Sequence, residues 1–377
     1  MNISFDAKRA IQNNTGLGNY CRYVIEALIN NKDSEYLLFA PQNKENKRLS
    51  NIIKGHNNVR FAFPQRGLWK YFSSLWRTWG IWHDIEQQKV QIYHGLSNEL
   101  PLSIKRCKKV KSVVTIHDLI YLRLPQCYHF FDRHIYNFKY RKSCVNADLI
   151  IAVSECTKRD IVELYHINPN KIKVIYQGCD PSFAVVASDE RKSEVKNKYQ
   201  LPNKFVLSVG TIEERKNTLL LVKTLPHLPS DIHVVLVGRS TRYTQQIISW
   251  ATDNNVIDRL HIVNNVSFPD LPVVYQLCQT FVYPSIYEGF GIPIVEALNS
   301  LVPVVAAKGS CLEEAGDPNS LYVNSSDADE LFRAISHTFD PNVRAKMIWE
   351  GVKWAEQFSQ QRLALQTLEC YNQLLQG

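Results

Sequence analysis

Nowhere in the 377 residues is there a run of 18 uncharged apolar residues, so no membrane-spanning helix is expected. The opening stretch, MNISFDAKRAIQNNTG, also lacks the long apolar run of a secretory leader, which points to the cytoplasm. No CxxC pair occurs. The nine cysteines, Cys21, Cys107, Cys127, Cys144, Cys156, Cys179, Cys278, Cys311 and Cys370, stand apart and are odd in number. That excludes a disulfide framework and a zinc pattern, and leaves reduced, mostly buried small side chains. There is no low-complexity tract. No RNA- or DNA-binding motif accompanies the net charge of +8, so nucleic acid is not an expected partner.

What is present suggests two domains, because single cores rarely grow beyond about 250–300 residues. Charge divides along the chain. Through Asp180, 27 Lys and Arg stand against 15 Asp and Glu; the remainder has 17 against 21. A basic first half suits anionic lipid or a phosphorylated acceptor, although a solvated basic face explains it equally well. Lys108, Lys109 and Lys111 are the residues on which acceptor or membrane contact is expected.

Short Val/Ile-rich runs bounded by polar or glycine residues read as strands: 90–96, 112–119, 147–154 and 171–178, then 204–211, 232–239, 258–263, 280–285 and 302–307. Amphipathic segments such as 217–228 and 241–254 lie between them. Continuous apolar strands alternating with helices imply parallel sheets covered on both faces, here two doubly wound α/β domains. The expected domains are residues 1–183 and 184–353, with a tail over 354–377 read as one helix returning to complete the first.

In such sheets, ligands gather at the carboxyl ends of strands. The stretch SVGTIEERKN (208–217) runs from a strand into Gly210 and then presents Arg215 and Lys216, a fork and a point charge that can hold a diphosphate. Solvated loop charges are the plainer alternative. The stretch YPSIYEGFGIP (283–293) leaves a strand, turns at Gly289 and Gly291 and starts a helix at Pro293. Amides of Phe290, Gly291 and Ile292 at that helix start suit an anion. Glu288, just outside the helix, can accept from sugar hydroxyls. Glu296, one turn in, can take the two hydroxyls of a ribose. Favourable charge near a helix start explains Glu296 as well, but not the neighbouring Gly-x-Gly. A third glycine turn, NTGLGNY (14–20), precedes another helix, and His117-Asp118 ends a strand as either a polar pair, a base or a ligand.

In this order, these stretches resemble the family-4 retaining glycosyltransferases of the GT-B fold, over essentially the whole chain. The pattern Glu288 to Glu296 with its internal GFG carries most of the resemblance. GTIEERKN, GSCLEEAGD (309–317), YHGLSNELP (93–101) and VVTIHDLIY (113–121) support it, and the branch resembled is that of bacterial surface-polysaccharide mannosyltransferases. The resemblance implies two Rossmann-like domains facing a cleft. It implies a nucleotide-sugar donor, GDP-mannose first and a UDP-sugar second, and a saccharide or lipid-linked acceptor.

The resemblance also assigns roles. Arg215 and Lys216 bind the diphosphate and stabilise its departure. Glu288 faces the sugar and Glu296 holds the ribose. Gly16 belongs to a loop closing over the phosphates, and loops at Gly238, Arg239 and Val266 select the base. His94, Asn98 and His117 lie on the acceptor side, with His117 near the sugar. Many relatives carry Arg where this chain has Thr211, which leaves Arg215 to supply that charge. A sugar-phosphate synthase, a nucleotide-sugar epimerase and a non-catalytic nucleotide-sugar binder are the rival readings.

Asp327-x-Asp329 has a spacing that holds metals elsewhere, but Ser and acids opening an amphipathic helix read as a cap, so no metal or other cofactor is expected. The stretch 66–89, with Trp69, Phe72, Trp76, Trp79 and Trp82 beside Arg66, Lys70 and Arg77, reads as core and acceptor groove. Peripheral membrane contact, at the inner face, is its alternative.

Overall fold

The computed structural model describes residues 1–13, 15–64, 69 and 71–376. They form two compact units, Met1–Gln177 with Ser359–Gly377, and Gly178–Phe358. Arg66 and Lys70 lie outside the described residues.

The first unit holds seven strands: β1 (Asn2–Asp6), β2 (Glu35–Phe39), β3 (Val59–Ala62), β4 (Ile92–Gly95), β5 (Lys111–Ile116), β6 (Leu149–Ala152) and β7 (Ile172–Val174). Their order is β3-β2-β1-β4-β5-β6-β7, and every pairing is parallel. The second unit holds β8 (Phe205–Val209), β9 (His233–Val237), β10 (Leu260–Val263), β11 (Thr280–Tyr283), β12 (Val304–Ala307) and β13 (Leu321–Val323). Its order is β10-β9-β8-β11-β12-β13, again all parallel. All four residues of β4, β6, β11 and β12 are buried, because helices cover both faces of a parallel sheet. In each unit the order reverses beside the first strand, between β1 and β4 and between β8 and β11. A crevice forms at such a point, at the strands' carboxyl ends.

The tail is not one helix from residue 354. A helix over Pro341–Ala355 ends in a tight turn, Glu356–Phe358, and a new helix runs from Gln360 to Gln376. The break follows from Phe358, which is buried in the second unit edge-on to Phe290 with ring centroids 5.4 Å apart. The division between units therefore falls after Phe358. At the other junction it falls after Gln177, because Phe183 packs on Tyr275 and Phe268 of the second unit.

The terminal helix buries Leu363, Cys370 and Tyr371 against the first unit, where fully buried large side chains each stabilise by about 1.5–3 kcal/mol. Gln360 bonds Glu26 Oε2 (3.1 Å) on the helix Gly16–Ile29. A polar contact fixes the register. His94 Nδ1 lies 2.6 Å from the Tyr371 hydroxyl, and His94 Nε2 lies 2.8 Å from Thr115 Oγ1. Thr115 in turn meets the Tyr20 hydroxyl at 3.2 Å.

Expected on the acceptor side, His94 is only 1% exposed and has both ring nitrogens engaged. Burial drives its pKa down to about 3, so it is a neutral core residue that ties the terminal helix to the sheet. Tyr371→Phe should leave that nitrogen buried without a partner and lower the unfolding free energy by about 1–3 kcal/mol in urea titration. Unchanged stability would mean the bond contributes nothing to docking the helix.

Candidate functional site

The β8/β11 reversal point is built by two loops that hold each other. After β8 the chain passes Gly210, at φ +144°, and after β9 it passes Gly238, at φ +154°. A Cβ on Gly238 would stand 1.8 Å from the Gly210 carbonyl oxygen, so this glycine is required by loop packing before any ligand is considered. The β8 loop then makes one tight turn, Glu214–Lys216, and Asn217 reverses it in the left-handed region at φ +55°. Asn217 Nδ2 donates to the carbonyls of Pro284 (3.2 Å) and Ser325 (2.7 Å). The Ile286 amide donates to the Arg215 carbonyl (2.9 Å), and Arg215 Nη1 donates to the Tyr287 carbonyl (2.8 Å). Arg215 and Lys216 are thereby delivered to the loop that follows β11.

Glu288 is the centre of the arrangement. Its Oε1 accepts from Lys216 Nζ (2.5 Å), Ser285 Oγ (2.5 Å) and the Tyr283 hydroxyl (3.1 Å), with Arg215 Nη1 at 2.8 Å. Lys216 also donates to the Tyr283 hydroxyl (2.5 Å) and stands over its ring. All three charged side chains are largely buried. Burial opposes the Glu288 charge, but Lys216 and Arg215 outweigh it and hold the carboxyl down at about 2. Burial lowers the pKa of Lys216. Arg215 is shared with Glu213 at 2.8 Å.

Beyond Glu288, Gly289 is half-buried, and Gly291, at φ +136°, begins the helix Ile292–Asn299. A Cβ on Gly291 would press on Ala315 Cβ (3.1 Å) and Leu312 Cδ2 (3.2 Å). Cys311 Sγ reaches the carbonyls of Phe290 (2.7 Å) and Glu288 (3.1 Å), which pins the turn from below. The Phe290 side chain is core. The amides of Gly291 and Ile292 donate to nothing among the described residues, and such groups at a helix start suit an anion. Glu296 lies one turn in and is half-buried, with its Oε2 accepting from the Tyr275 hydroxyl at 2.8 Å. Burial pushes its carboxyl up to about 7, against the Tyr275 bond and assisted by Asp180. Val266 is half-buried in the loop following β10.

The first unit offers a second group at the carboxyl ends of its strands. Gly18 is needed, since a Cβ there would meet the Asn13 carbonyl oxygen at 1.9 Å, whereas Gly16 opens onto free space. His117 Nε2 lies 2.9 Å from the Leu96 carbonyl, which only accepts, so Nε2 carries the proton. Burial lowers the imidazole's pKa to about 4, leaving Nδ1 as a lone pair with no hydrogen bond among the described residues. His117 thus presents an acceptor for a hydroxyl. Asn98 is buried, and its Oδ1 accepts from the His117 amide at 2.7 Å, which positions His117.

Other expectations shift. Lys108, Lys109 and Lys111 lie at the amino end of β5 and His117 follows its carboxyl end, a separation of about 20 Å along the strand. The basic run therefore does not share a surface with His117. Trp76 is buried, and Trp69 and Trp82 pack on the same core, while Phe72 and Trp79 are exposed. Asp327 Oδ1 accepts from the Glu330 amide (2.8 Å) and caps the helix Ala328–His337. Among the described residues, no three His, Cys, Asp or Glu side chains are grouped to hold a metal, and no helix is long and apolar enough to cross a membrane.

Sequence reasoning singled out neither Tyr283 and Ser285 nor Cys311, although all three fall within the quoted stretches. Tyr275 carries no local signal, since it lies on a separate helix, Leu271–Leu277.

The family profile described as Glycosyl transferases group 1 matches residues 189–354, and that described as Glycosyltransferase Family 4 matches residues 14–183. O-antigen chain mannosyltransferase B of Escherichia coli is 30% identical over 301 residues, 77% of this chain and 76% of that protein. Serotype-specific mannosyltransferase WbdA of Escherichia coli is 26% identical over 308 residues, 76% of this chain but 37% of that longer protein. The crystal structure of Anabaena Alr3699/HepE in complex with UDP and glucose superposes with a TM-score of 0.76 at 19% identity, covering 99% of this chain and 100% of that one. This likeness shows the fold, which is GT-B.

Removing one partner from a buried ion pair strands the other. Glu288→Gln should cost roughly 3 kcal/mol of stability at neutral pH. The folded carboxyl lies at about 2, below its ordinary value of 4.5, so this contribution is present above pH 4.5 and is lost as pH falls toward 2. Denaturant titrations of both proteins at pH 7 and pH 3 check it. An equal gap at the two pH values would show that the Glu288 charge is not its source.

Proposed function

The chain belongs to the glycosyl transferases of group 1, and we propose that it transfers mannose from GDP-mannose, with retention at the anomeric carbon, to a saccharide or lipid-linked saccharide in surface-glycan assembly. The observation that carries the site assignment is the Lys216–Glu288–Arg215 cluster at the β8/β11 reversal point. Mannose rests on the names of the mannosyltransferase relatives. A UDP-sugar is the second reading, favoured by the UDP and glucose in the Anabaena complex.

The geometry supports a partner exchange. Without ligand, Glu288 neutralises Lys216. A diphosphate, carrying more charge and more acceptor oxygens, takes over Lys216 and the open amides of Gly291 and Ile292. Glu288 is released toward the hydroxyls of the sugar, and Glu296 takes the ribose. As the bond from the anomeric carbon to the phosphate oxygen breaks, negative charge grows on the diphosphate where Lys216 and Arg215 already point. The acceptor hydroxyl forms the new bond on the same face, and its proton passes to the departing phosphate oxygen. His117 Nδ1, in the first unit, accepts a hydroxyl of the acceptor. Because these two cations supply the positive charge, donor binding needs no divalent ion, and a chelator should leave calorimetric affinity unchanged. Loss of binding on chelation would reopen Asp327 and Asp329.

The exchange has a sign. Glu288→Gln removes a competitor for Lys216, so it should hold or tighten bare nucleoside diphosphate while lowering turnover. Lys216→Ala should weaken both. A Glu288→Gln variant that loses diphosphate affinity would contradict the exchange. The donor is tested by thermal shift with GDP, UDP, GDP-mannose and UDP-sugars, since ligands that prefer the native state raise its melting temperature. No stabilisation by any of them would overturn the reading.

Glu296 provides a pH test. A ribose held by a carboxylate favours the ionised form, so affinity should rise with pH through about 7. Glu296→Gln should remove that component. The nucleotide's own titration cancels when the two proteins are compared across pH 6–8, and parallel profiles would remove Glu296 from the ribose site.

A further inference from the structure

A chain of buried contacts inside the first unit joins the terminal helix to the imidazole of His117. The helix Gln360–Gln376 sets the Tyr371 hydroxyl 2.6 Å from His94 Nδ1. His94 Nε2 lies 2.8 Å from Thr115 Oγ1, and the same oxygen lies 3.2 Å from the Tyr20 hydroxyl. The Tyr20 ring then stands perpendicular to the His117 imidazole, with centroids 4.5 Å apart. Tyr371, His94, Thr115, Tyr20 and His117 are all buried.

The main chain of His117 is fixed separately. Its amide donates to Asn98 Oδ1 (2.7 Å), and its carbonyl accepts from Thr157 Oγ1 (3.1 Å). Thr115 supports this as well, because its carbonyl accepts from the Asn98 amide (2.9 Å), where Asn98 takes a left-handed φ of +64°. Rotation of the imidazole is what remains to be set. One constraint is the bond from Nε2 to the Leu96 carbonyl (2.9 Å). Contact with the Tyr20 ring is the other, in the perpendicular geometry that aromatic pairs favour. The helix Gly16–Ile29 touches both, since Cys21, next to Tyr20, brings its Sγ to the same Leu96 carbonyl (3.9 Å).

We infer that Tyr20 is a positioning residue for His117. Its ring holds the imidazole with Nε2 on the Leu96 carbonyl and Nδ1 open, and Thr115 makes that orientation depend on the docked terminal helix. In a buried network a lost partner is not readily replaced by solvent, so a change at one hydroxyl passes to the next. Without the Tyr371 hydroxyl, His94 loses a partner, Thr115 re-forms its bonds, and Tyr20 loses its anchor. The inference rests on the reading that His117 Nδ1 accepts an acceptor hydroxyl, since only then does the direction of that lone pair matter to transfer.

Nitrogen-15 spectra of the full chain, labelled at histidine and recorded at pH 7, test it without any acceptor, with His117→Gln assigning the signals. In the wild-type chain the two His117 ring nitrogens should lie far apart in shift, one protonated and one a lone pair. Tyr20→Leu should draw the two shifts together as tautomers mix, and Tyr20→Phe, which keeps the ring but loses its anchor, should do so less. Thr115→Val and Tyr371→Phe cut the chain at its middle and its far end. Each should narrow the separation, and both together should narrow it no further than Thr115→Val alone. Thr115→Ser, which keeps the hydroxyl, should retain the wild-type spectrum. Ser112→Ala, at the opposite end of β5, loses the bond from Ser112 Oγ to Asp148 (2.8 Å) and should lower stability while leaving the His117 signals in place. Circular dichroism checks folding; if Tyr20→Leu or Thr115→Val unfolds, Tyr20→Phe combined with Tyr371→Phe takes its place. An unchanged His117 separation in the folded Tyr20 variants overturns the positioning role. Additive effects of the two chain cuts, or an equal effect of Ser112→Ala, overturn the dependence on the terminal helix. Calorimetry with GDP and UDP separates this result from the donor reading: failure of both to bind the wild-type chain would overturn that reading and leave the His117 spectra to decide the positioning.

Discussion

One carboxylate oxygen organises the second unit's binding end. Glu288 Oε1 draws in Lys216, Arg215, Ser285 and the Tyr283 hydroxyl, and the loops after β8 and β11 must adopt complementary paths for this to happen. Glycine at 210, 238 and 291 allows those paths, and the left-handed turn at Asn217 aims the cations. Two cations against one buried acid leave a positive excess that only a nearby anion can satisfy well, and Glu213 offsets it from a more exposed position. The stability of the loops and the affinity for a diphosphate therefore draw on the same charges.

Much of this was legible because it is local. The β8 and β11 runs, the glycines and the two acids lie within short stretches whose order along the chain carries the family resemblance. The central strands were legible because burial on both faces makes them continuously apolar. β1, β2, β3 and β13 were not. β3 and β13 are sheet edges with few buried positions, and β1 and β2 interleave or flank their apolar residues with polar ones such as Ser4 and Glu35. Tyr275 was out of reach because its partner, Glu296, is 21 residues away on another helix.

The histidines show where motif reading misleads. His94 and His117 occupy comparable strand ends in similar sequence surroundings. Burial and partners divide them: hydroxyls engage both nitrogens of His94, while a single carbonyl fixes the tautomer of His117 and leaves its other nitrogen available. Neither outcome is encoded in neighbouring residues, since the deciding partner of His94 is Tyr371. In the helix Phe130–Asn146 burial divides the aromatics, since the core takes Tyr136 and Tyr140 and leaves Phe131 and Phe138 outside.

The discontinuity of the first unit bears on biosynthesis. Its sheet is encoded by residues 2–174, yet the helix that engages His94 follows the whole of the second unit along the chain. The second unit is contiguous and can close as soon as Phe358 emerges, while the first keeps an uncovered flank until residues 359–376 have followed. Such a nascent intermediate is a natural client for a holdase chaperone, and changes within residues 359–376 would damage the half of these two units that is made first.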